Sequence, residues 1–292
     1  MIKFSVPDEK RIRVIIDTDA ACEADDPYAI VHALLSPKAI VKGIVAEHYG
    51  EADSMEKSFQ EILTVLDCMG MDIPAFRGQT KIMEQEDAAS EGVEFIAREA
   101  MEDDPHPLFV LCQGAVTNVA VALKKHPEIS DRMNIIWIGT HGPAPTNAPY
   151  REFNAGNDIA AANYVLRNAK KLWLVPSTVY STIHIGIAEI ERRIKPLGKI
   201  GEHLYRTMID YNFSEYASWT NGESWSLGDS PAIALALNPG CGRYIEAKAP
   251  AITEDTSSVS DEGMPLIRIY TDVDSRYILE DMIAKLELFN EK

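Results

Sequence analysis

Short apolar runs alternate with longer segments of helical spacing along the chain, and this alternation is the strongest constraint on its fold. The first run, residues 13–17, is short, rich in β-branched residues and bounded by polar residues, which is typical of a buried strand. The predicted strands are residues 13–17, 42–46, 108–111, 134–138 and 171–175, and the predicted helices are residues 27–35, 54–69, 116–125, 158–168, 231–237 and 275–289. This alternation predicts a mostly parallel sheet with helices on both faces, in which ligands bind outside the carboxyl ends of the strands.

The later part of the chain and its length fit the same architecture. Residues 186–225 predict a helix-rich region, and residues 249–270 predict a late β-hairpin. The 292 residues are enough for one large α/β domain, and they contain no internal repeat or linker. We therefore expect a single domain over residues 1–292, with a Rossmann-like, mostly parallel central sheet flanked by helices.

Composition excludes several classes of partner. The formal net charge is −17, and a field of this sign repels phosphate backbones, so we expect no nucleic-acid partner. The N-terminal region has no long apolar run, so we expect neither a signal peptide nor a membrane anchor, and the cytoplasm is the expected compartment. Four scattered cysteines without a Cys-x-x-Cys pair argue against a disulfide framework or a zinc site.

Four aspartates lie within ten residues directly after the first predicted strand. They are Asp17, Asp19, Asp25 and Asp26. Like charges this close coexist at low cost only if a cation, protonation or a helix N-terminus reduces their repulsion. Helix capping by Asp25 or Asp26 explains one or two of the four, but not all of them. Hard oxygen ligands at the end of a buried strand therefore predict a Ca²⁺ or Mg²⁺ site.

The aspartate segment resembles the signature of the nucleoside hydrolases, Asp-x-Asp-Pro-Gly-x-Asp-Asp. Residues 17–19 (Asp-Thr-Asp) and 25–26 (Asp-Asp) match its two ends, while the loop between them is two residues longer and lacks the glycine. Four later segments resemble the family in the same order, namely residues 113–118, 135–139, 152–158 and 228–232. The resemblance covers about residues 14–237. It implies the nucleoside hydrolase fold and hydrolysis of the N-glycosidic bond of ribonucleosides to free base and ribose.

The resemblance also implies roles for individual residues. The implied ligands of Ca²⁺ are Asp19, Asp26, Asp229 and the main-chain carbonyl of Gln113. Asp25 is the implied general base for the attacking water. The implied ribose ligands are Asn147, Glu152 and Asn154. The expected partner is a small nucleoside, and we expect a homo-oligomer, either a dimer or a tetramer.

Departures from the family pattern leave the acid that protonates the leaving base open. Gly228 stands where some members have a histidine that helps the base to depart, and Glu47-His48 replaces the Gly-Asn that follows the second strand of the family. His48 is therefore a candidate acid or ribose ligand, and His184 is another candidate acid, although a lone histidine is more often structural.

Two tryptophans are candidates for binding the base. Purine-preferring relatives stack the base on tryptophans, and Trp219 and Trp225 lie in the helix-rich region. Core packing explains these side chains equally well. The base preference itself stays open.

Two other functions fit parts of the sequence. The longer aspartate loop is compatible with a non-catalytic homologue that only binds a nucleoside or ribose. Residues 17–19 after a first strand also suit a haloacid-dehalogenase-like phosphatase, in which Asp17 would be the nucleophile and Asp19 an acid. That enzyme needs a downstream lysine and an acidic Mg²⁺ pair, and it leaves the Glu-Phe-Asn of residues 152–154 unexplained.

Overall fold

A central sheet of eight strands crosses the molecule. The computed structural model describes residues 4–85, 88–143, 147 and 149–291. The strands are β1 (Ile12–Thr18), β2 (Ala39–Ala46), β3 (Ala75–Arg77), β4 (Leu108–Cys112), β5 (Met133–Ile138), β6 (Leu172–Val175), β7 (His184–Gly186), β8 (Ser224–Ser226), β9 (Gly242–Lys248), β10 (Ala251–Ile252), β11 (Ser258–Val259) and β12 (Leu266–Val273). The sheet order is β3-β2-β1-β4-β5-β6-β12-β9, and β7–β8 and β10–β11 form two small pairs.

Helices cover both faces of this sheet. They are α1 (Asp26–Leu34), α2 (Ser54–Met69), α3 (Glu91–Met101), α4 (Thr117–Lys125), α5 (Phe153–Asn157), α6 (Ile159–Asn168), α7 (Ser177–Tyr180), α8 (Ile187–Glu189), α9 (Gly198–Asn212), α10 (Ser230–Leu237) and α11 (Ser275–Asn290). Within the described part of the chain, none of these helices is both long enough and apolar enough to span a membrane.

The pairing of β1 determines where the functional residues lie. β1 pairs in parallel with β2 on one side and with β4 on the other, so that Asp17 lies opposite Val45 and Cys112. β4, β5 and β6 continue the parallel sheet, and only β9 is antiparallel to its neighbour. The loops that follow β1, β2, β4 and β5 therefore meet at one edge of the sheet.

The core forms because β1 is buried on both faces. Val14 and Ile16 pack into the apolar cluster on the side of α1, α10 and α11, whereas Ile15 packs into the cluster on the side of α3, α4 and α6. A strand covered on both faces reads as a continuous apolar run, which is the pattern that the sequence shows. The predicted α/β fold with a mostly parallel central sheet is confirmed.

The predicted hairpin needs a correction. The long antiparallel pair joins β9 to β12, and the first strand therefore begins at Gly242 rather than near residue 249. Only the short β10–β11 pair lies between them. Most of β9 is solvent-exposed, so its sequence lacks the apolar run that identified the buried strands. Helix α3 was also absent from the prediction.

Helix α1 is anchored by a buried polar cluster at the end opposite to Asp26. His32 Nε2 and Lys285 Nζ lie 2.8 Å and 2.5 Å from the carboxylate of Asp281 on α11, and Lys285 also donates to Ser36 Oγ at 2.9 Å. Burial opposes ionisation of Asp281, but the hydrogen bonds from His32 and Lys285 lower its pKa to about 2. The cluster joins α1 to α11 and so fixes the helix whose first residue is Asp26.

We expect Asp281→Ala to lower the free energy of unfolding by about 2 kcal/mol, because it leaves the buried ammonium group of Lys285 without its counter-charge. Urea unfolding followed by circular dichroism measures the change. Asp210→Ala, at an exposed position of α9, is the matched control and should change stability by less than about 0.5 kcal/mol. Equal stability of the Asp281→Ala variant and the wild type would show that the cluster does not stabilise α1.

Candidate active site

A cavity of about 640 Å³ opens where the loops after β1, β4 and β5 meet. It has an acidic part and an aromatic part. The acidic part is formed by Asp19, Glu23, Asp25, Asp26 and Asp229, and the aromatic part by Tyr150, Phe153, Tyr180, Trp219 and Trp225. This is the edge of the sheet at which parallel α/β folds bind ligands.

Three buried carboxylates converge in the acidic part. One oxygen each of Asp25, Asp26 and Asp229 can be chosen so that all three lie within 4.8 Å of one another. Asp25 and Asp229 occupy the N-cap positions of α1 and α10, but neither side chain caps its own helix. The main-chain NH groups of Asp25 itself, Asp229 and Gly228 face the Asp25 carboxylate closely enough to lower its pKa in part. Capping alone therefore does not explain these aspartates.

Burial and mutual repulsion disfavour the charged forms of these groups. Burial, with the nearby charge of Asp26, raises the pKa of Asp25 to about 7. Burial raises the pKa of Asp26 to about 6, although hydrogen bonds to Thr18 and Asp229 lower it in part. Burial and the charges of Asp25, Asp26 and Asp19 hold the pKa of Asp229 well above its usual range. None of the ion pairs found among the described residues neutralises these carboxylates.

Asp19 lies beside the three carboxylates and lacks a hydrogen-bond partner on one side. Its Oδ2 atom is buried and unpaired, and burial followed by the charge of Asp26 raises its pKa well above the usual range. The main-chain carbonyl of Gln113, the other predicted metal ligand, accepts a hydrogen bond from Asn154 Nδ2 at 3.1 Å. Asn154 Nδ2 also donates to the carbonyl of Ile138 at 2.9 Å, which orients the amide.

A second pair of carboxyl groups, Asp17 and Glu47, lies behind the cavity. Asp17 is fully buried, accepts a hydrogen bond from Asn118 Nδ2 at 2.8 Å and does not line the cavity. Burial and the charge of Asp17 raise the pKa of Glu47 well above its usual range, and both carboxyl oxygens of Glu47 are buried without a hydrogen-bond partner. A Cβ atom at position 114 would overlap the Glu47 carboxylate, which explains Gly114. Asp17 is therefore not placed to act as the nucleophile of a phosphatase.

The predicted ribose ligands fall in different places. Asn154 lines the cavity. Glu152 is fully buried, and its carboxylate accepts hydrogen bonds from the NH groups of Thr140 and Ala155 and from the hydroxyl of Tyr180. Asn147 is exposed and does not line the cavity, and its neighbours 144–146 and 148 lie outside the described residues.

Only one of the two candidate histidines lines the cavity. His184 lies on β7, is exposed and contributes to the lining. His48 is buried elsewhere, with Nε2 at 2.9 Å from Thr117 Oγ1, and that hydroxyl donates to Asp158 Oδ2 at 2.8 Å. Because Thr117 uses its proton for Asp158, it accepts from His48, and the ring is held in a structural network. The structure does not bring His48 to the site.

Both tryptophans line the cavity and contact each other. Their ring centroids are 5.3 Å apart at an angle of 51°. Trp225 is 2% exposed and packs in the core, whereas Trp219 is 67% exposed. Core packing therefore accounts for Trp225, and Trp219 is the ring that remains available for stacking.

Glu23 and Tyr180 are site residues that the sequence analysis did not single out. Glu23 lies in the longer loop, lines the cavity, and has its pKa raised to about 8 by burial and the charge of Asp25. Its position two residues before Asp25 was a usable signal. Tyr180 comes from a different part of the chain, and no local pattern marks it.

Comparison with known proteins agrees with this geometry. The family model of the inosine-uridine preferring nucleoside hydrolases matches residues 14–280. The pyrimidine-specific ribonucleoside hydrolase RihA of Salmonella gallinarum is 24% identical to this chain, over 94% of this chain and 98% of its own length.

Solved structures of nucleoside hydrolases share the fold. A purine-preferring ribonucleoside hydrolase from Gardnerella vaginalis has a TM-score of 0.79 at 20% identity, with 96% of this chain and 99% of that one covered. A plant nucleoside hydrolase, PpNRh1, has a TM-score of 0.78 at 19% identity, with 94% and 98% covered.

The family match spans most of the chain, and it confirms the predicted family and the predicted class of enzyme, an N-ribohydrolase. It also excludes the haloacid-dehalogenase-like alternative, in agreement with the buried position of Asp17. The chain belongs to the inosine-uridine preferring nucleoside hydrolase family.

Proposed function

We propose that this enzyme hydrolyses the N-glycosidic bond of ribonucleosides to free base and ribose, and that it does so with bound Ca²⁺. The observation that carries the proposal is the group of three buried carboxylates within 4.8 Å of one another, in a cavity that also offers aromatic rings. Carboxylates suit the polar sugar and its hydroxyls, and aromatic rings suit the base.

The residues present fit a hard divalent cation. Asp26 and Asp229 belong to the buried group, and Asp19 adds an oxygen that is buried without a partner. Gln113 would supply its main-chain carbonyl, which Asn154 now holds. These four residues are the proposed ligands, and oxygen donors of this kind select Ca²⁺ or Mg²⁺. Bound there, the ion would neutralise the carboxylates, orient the sugar hydroxyls and make water more acidic.

Asp25 is the proposed general base. Its carboxylate lies beside the two proposed ligands Asp26 and Asp229 and lines the cavity. It takes a proton from water as the oxygen attacks the anomeric carbon and the C–N bond breaks. Asp19 is the second candidate for this role, because its Oδ2 atom has no hydrogen-bond partner.

The leaving base takes the electron pair of the broken bond and needs a proton. His184 is the proposed donor, because it is the candidate histidine that lines the cavity. Trp219 is the proposed stacking surface for the base, since its ring is mostly exposed at the cavity. The Salmonella relative is named as pyrimidine-specific and the Gardnerella structure as purine-preferring. We therefore expect the preference for one base over another to depend on residues that differ between members of the family. The cytoplasmic location and the homo-oligomeric state stay predictions.

We expect ribonucleosides to be hydrolysed and their 2′-deoxy analogues to react at least about a hundredfold more slowly in kcat/KM. A missing hydroxyl leaves buried polar groups at the acidic part of the cavity without a partner. Release of free base from inosine, uridine and the corresponding 2′-deoxynucleosides, followed by chromatography, measures this. Equal rates on inosine and 2′-deoxyinosine would rule out recognition of the sugar through its hydroxyls.

We expect Asp25→Asn to lower kcat by roughly 10²–10⁴-fold, because the amide keeps the shape of the side chain and removes its basicity. Calcium affinity, measured by calorimetry, should stay within a few-fold of the wild type, whereas Asp26→Asn should weaken it strongly. Asp210→Asn, exposed on α9, is the control and should behave as the wild type. If Asp19→Asn keeps calcium and loses turnover while Asp25→Asn loses calcium, Asp19 is the base.

A further inference from the structure

Arg151 is the one lysine or arginine among the described residues that line the cavity. The acidic part of the same cavity holds five carboxyl groups, yet no ion pair or hydrogen bond between described residues involves the Arg151 side chain. The guanidinium group therefore does not serve to neutralise the acidic part. A cation that lines the cavity and has no partner in the protein is available to a ligand.

The main chain on both sides of Arg151 is held by buried residues. The carbonyl of Tyr150 accepts a hydrogen bond from His141 Nε2 at 2.8 Å, and the NH of Glu152 donates to Thr256 Oγ1 at 2.7 Å. His141, Glu152 and Thr256 are all buried. The point from which the Arg151 side chain extends is therefore fixed by the fold.

The side chain of Arg151 packs against α5. A Cβ atom at position 156 would overlap Arg151 Nη1 and would lie 3.0 Å from its Cζ atom and 3.4 Å from its Cγ atom. Glycine at position 156 thus leaves room for the guanidinium group to lie directly over the main chain. This contact orients a long, solvent-exposed side chain before a ligand arrives, which lowers the entropic cost of binding.

Arg151 lies beside the aromatic part of the cavity. Tyr150 precedes it directly, Phe153 follows two residues later, and both line the cavity together with Trp219. These three side chains are 54%, 45% and 67% exposed, so their rings are open to a ligand. The proposed function gives the aromatic rings to the base and the carboxylates to the sugar. The part of the substrate that meets the guanidinium group is therefore an edge of the base.

The chemistry of the guanidinium group determines which base it can recognise. It only donates hydrogen bonds, and its paired NH groups match two adjacent acceptors. In hypoxanthine and guanine O6 and N7 are such a pair, whereas adenine has an amino donor in place of O6. We propose that Arg151 binds O6 and N7 of the base and so makes the enzyme select 6-oxopurine ribonucleosides over adenosine. The inference rests on the proposed function, because it takes a ribonucleoside as the substrate.

The same contact assists the departure of the base. The electron pair of the C1′–N9 bond goes to the base, and the resulting negative charge spreads to O6 and N7 until the base is protonated. A fixed cation beside these atoms stabilises that charge in the transition state. Because a guanidinium group does not give up its proton in proteins, Arg151 does not protonate the base, and that role stays with His184.

Steady-state kinetics on inosine and adenosine tests the selection. The wild type should favour inosine by at least about tenfold in kcat/KM, which is the value of one bidentate pair. Arg151→Ala should lose this preference, mainly through a lower kcat/KM on inosine. Arg276→Ala, at an exposed position of α11 that does not line the cavity, is the matched control and should keep it. A wild type without the preference, or an unchanged preference in Arg151→Ala, would overturn the inference.

Two further measurements distinguish recognition of the base from a structural role. p-Nitrophenyl riboside has a leaving group that lacks O6 and N7 and departs readily as an anion, so Arg151→Ala should hydrolyse it within a few-fold of the wild type. Arg151→Lys keeps the charge but not the paired NH groups, so it should recover more of kcat on inosine than of the preference over adenosine. An equal loss of Arg151→Ala activity on p-nitrophenyl riboside and on inosine would contradict the proposal.

Binding of inosine and adenosine to the calcium-loaded Asp25→Asn variant, measured by calorimetry, separates this inference from the proposed function. Tighter binding of inosine that disappears when Arg151→Ala is added supports the inference, even if the wild type hydrolyses no ribonucleoside and the proposed function fails. Hydrolysis by the wild type, with binding that does not depend on Arg151, does the reverse. A protein that neither hydrolyses nor binds either nucleoside overturns both.

Discussion

Repulsion among buried carboxylates is the constraint on which the rest of the structure depends. Asp19, Asp25, Asp26 and Asp229 are each less than 10% exposed, and Glu23 adds a fifth acidic group to the same cavity. The N-termini of α1 and α10 both lie at this cluster, and their partial positive charges offset only part of the repulsion. The cation proposed above would make this arrangement favourable by neutralising the carboxylates.

The surrounding fold keeps these groups from moving apart. β1 is buried on both faces and carries the first aspartates at its carboxyl end, while the cluster of His32, Asp281 and Lys285 anchors α1 at its far end. On the other wall, Glu152 is fixed by its backbone contacts and in turn orients Tyr180. The polar groups on both walls of the cavity are therefore held by buried contacts with the surrounding fold.

The buried parts of the fold could be predicted from the sequence, and the exposed or purely tertiary parts could not. β1 and β4 were predictable because strands covered on both faces read as apolar runs, whereas the exposed β9 was not. The aspartate cluster after β1 was predictable because the close spacing of these residues in the sequence already implies that their charges repel one another. The hydrogen bond between Tyr180 and Glu152 spans 28 residues and depends on how two loops meet, so no local pattern reveals it. The structural role of His48 could not be predicted either, because its position at the end of a strand does not reveal its hydrogen bond with Thr117.

Thermal unfolding as a function of pH, with and without calcium, tests the role of a cation most directly. Burial raises the pKa of Asp25 to about 7 and that of Glu23 to about 8 in the folded chain. Between about pH 4 and pH 8 the unfolded chain therefore binds fewer protons, and the free energy of unfolding falls as pH rises. We predict that Tm falls over this range in chelator, and that calcium raises Tm by an amount that increases toward pH 8. A Tm that calcium leaves unchanged at every pH would contradict the account.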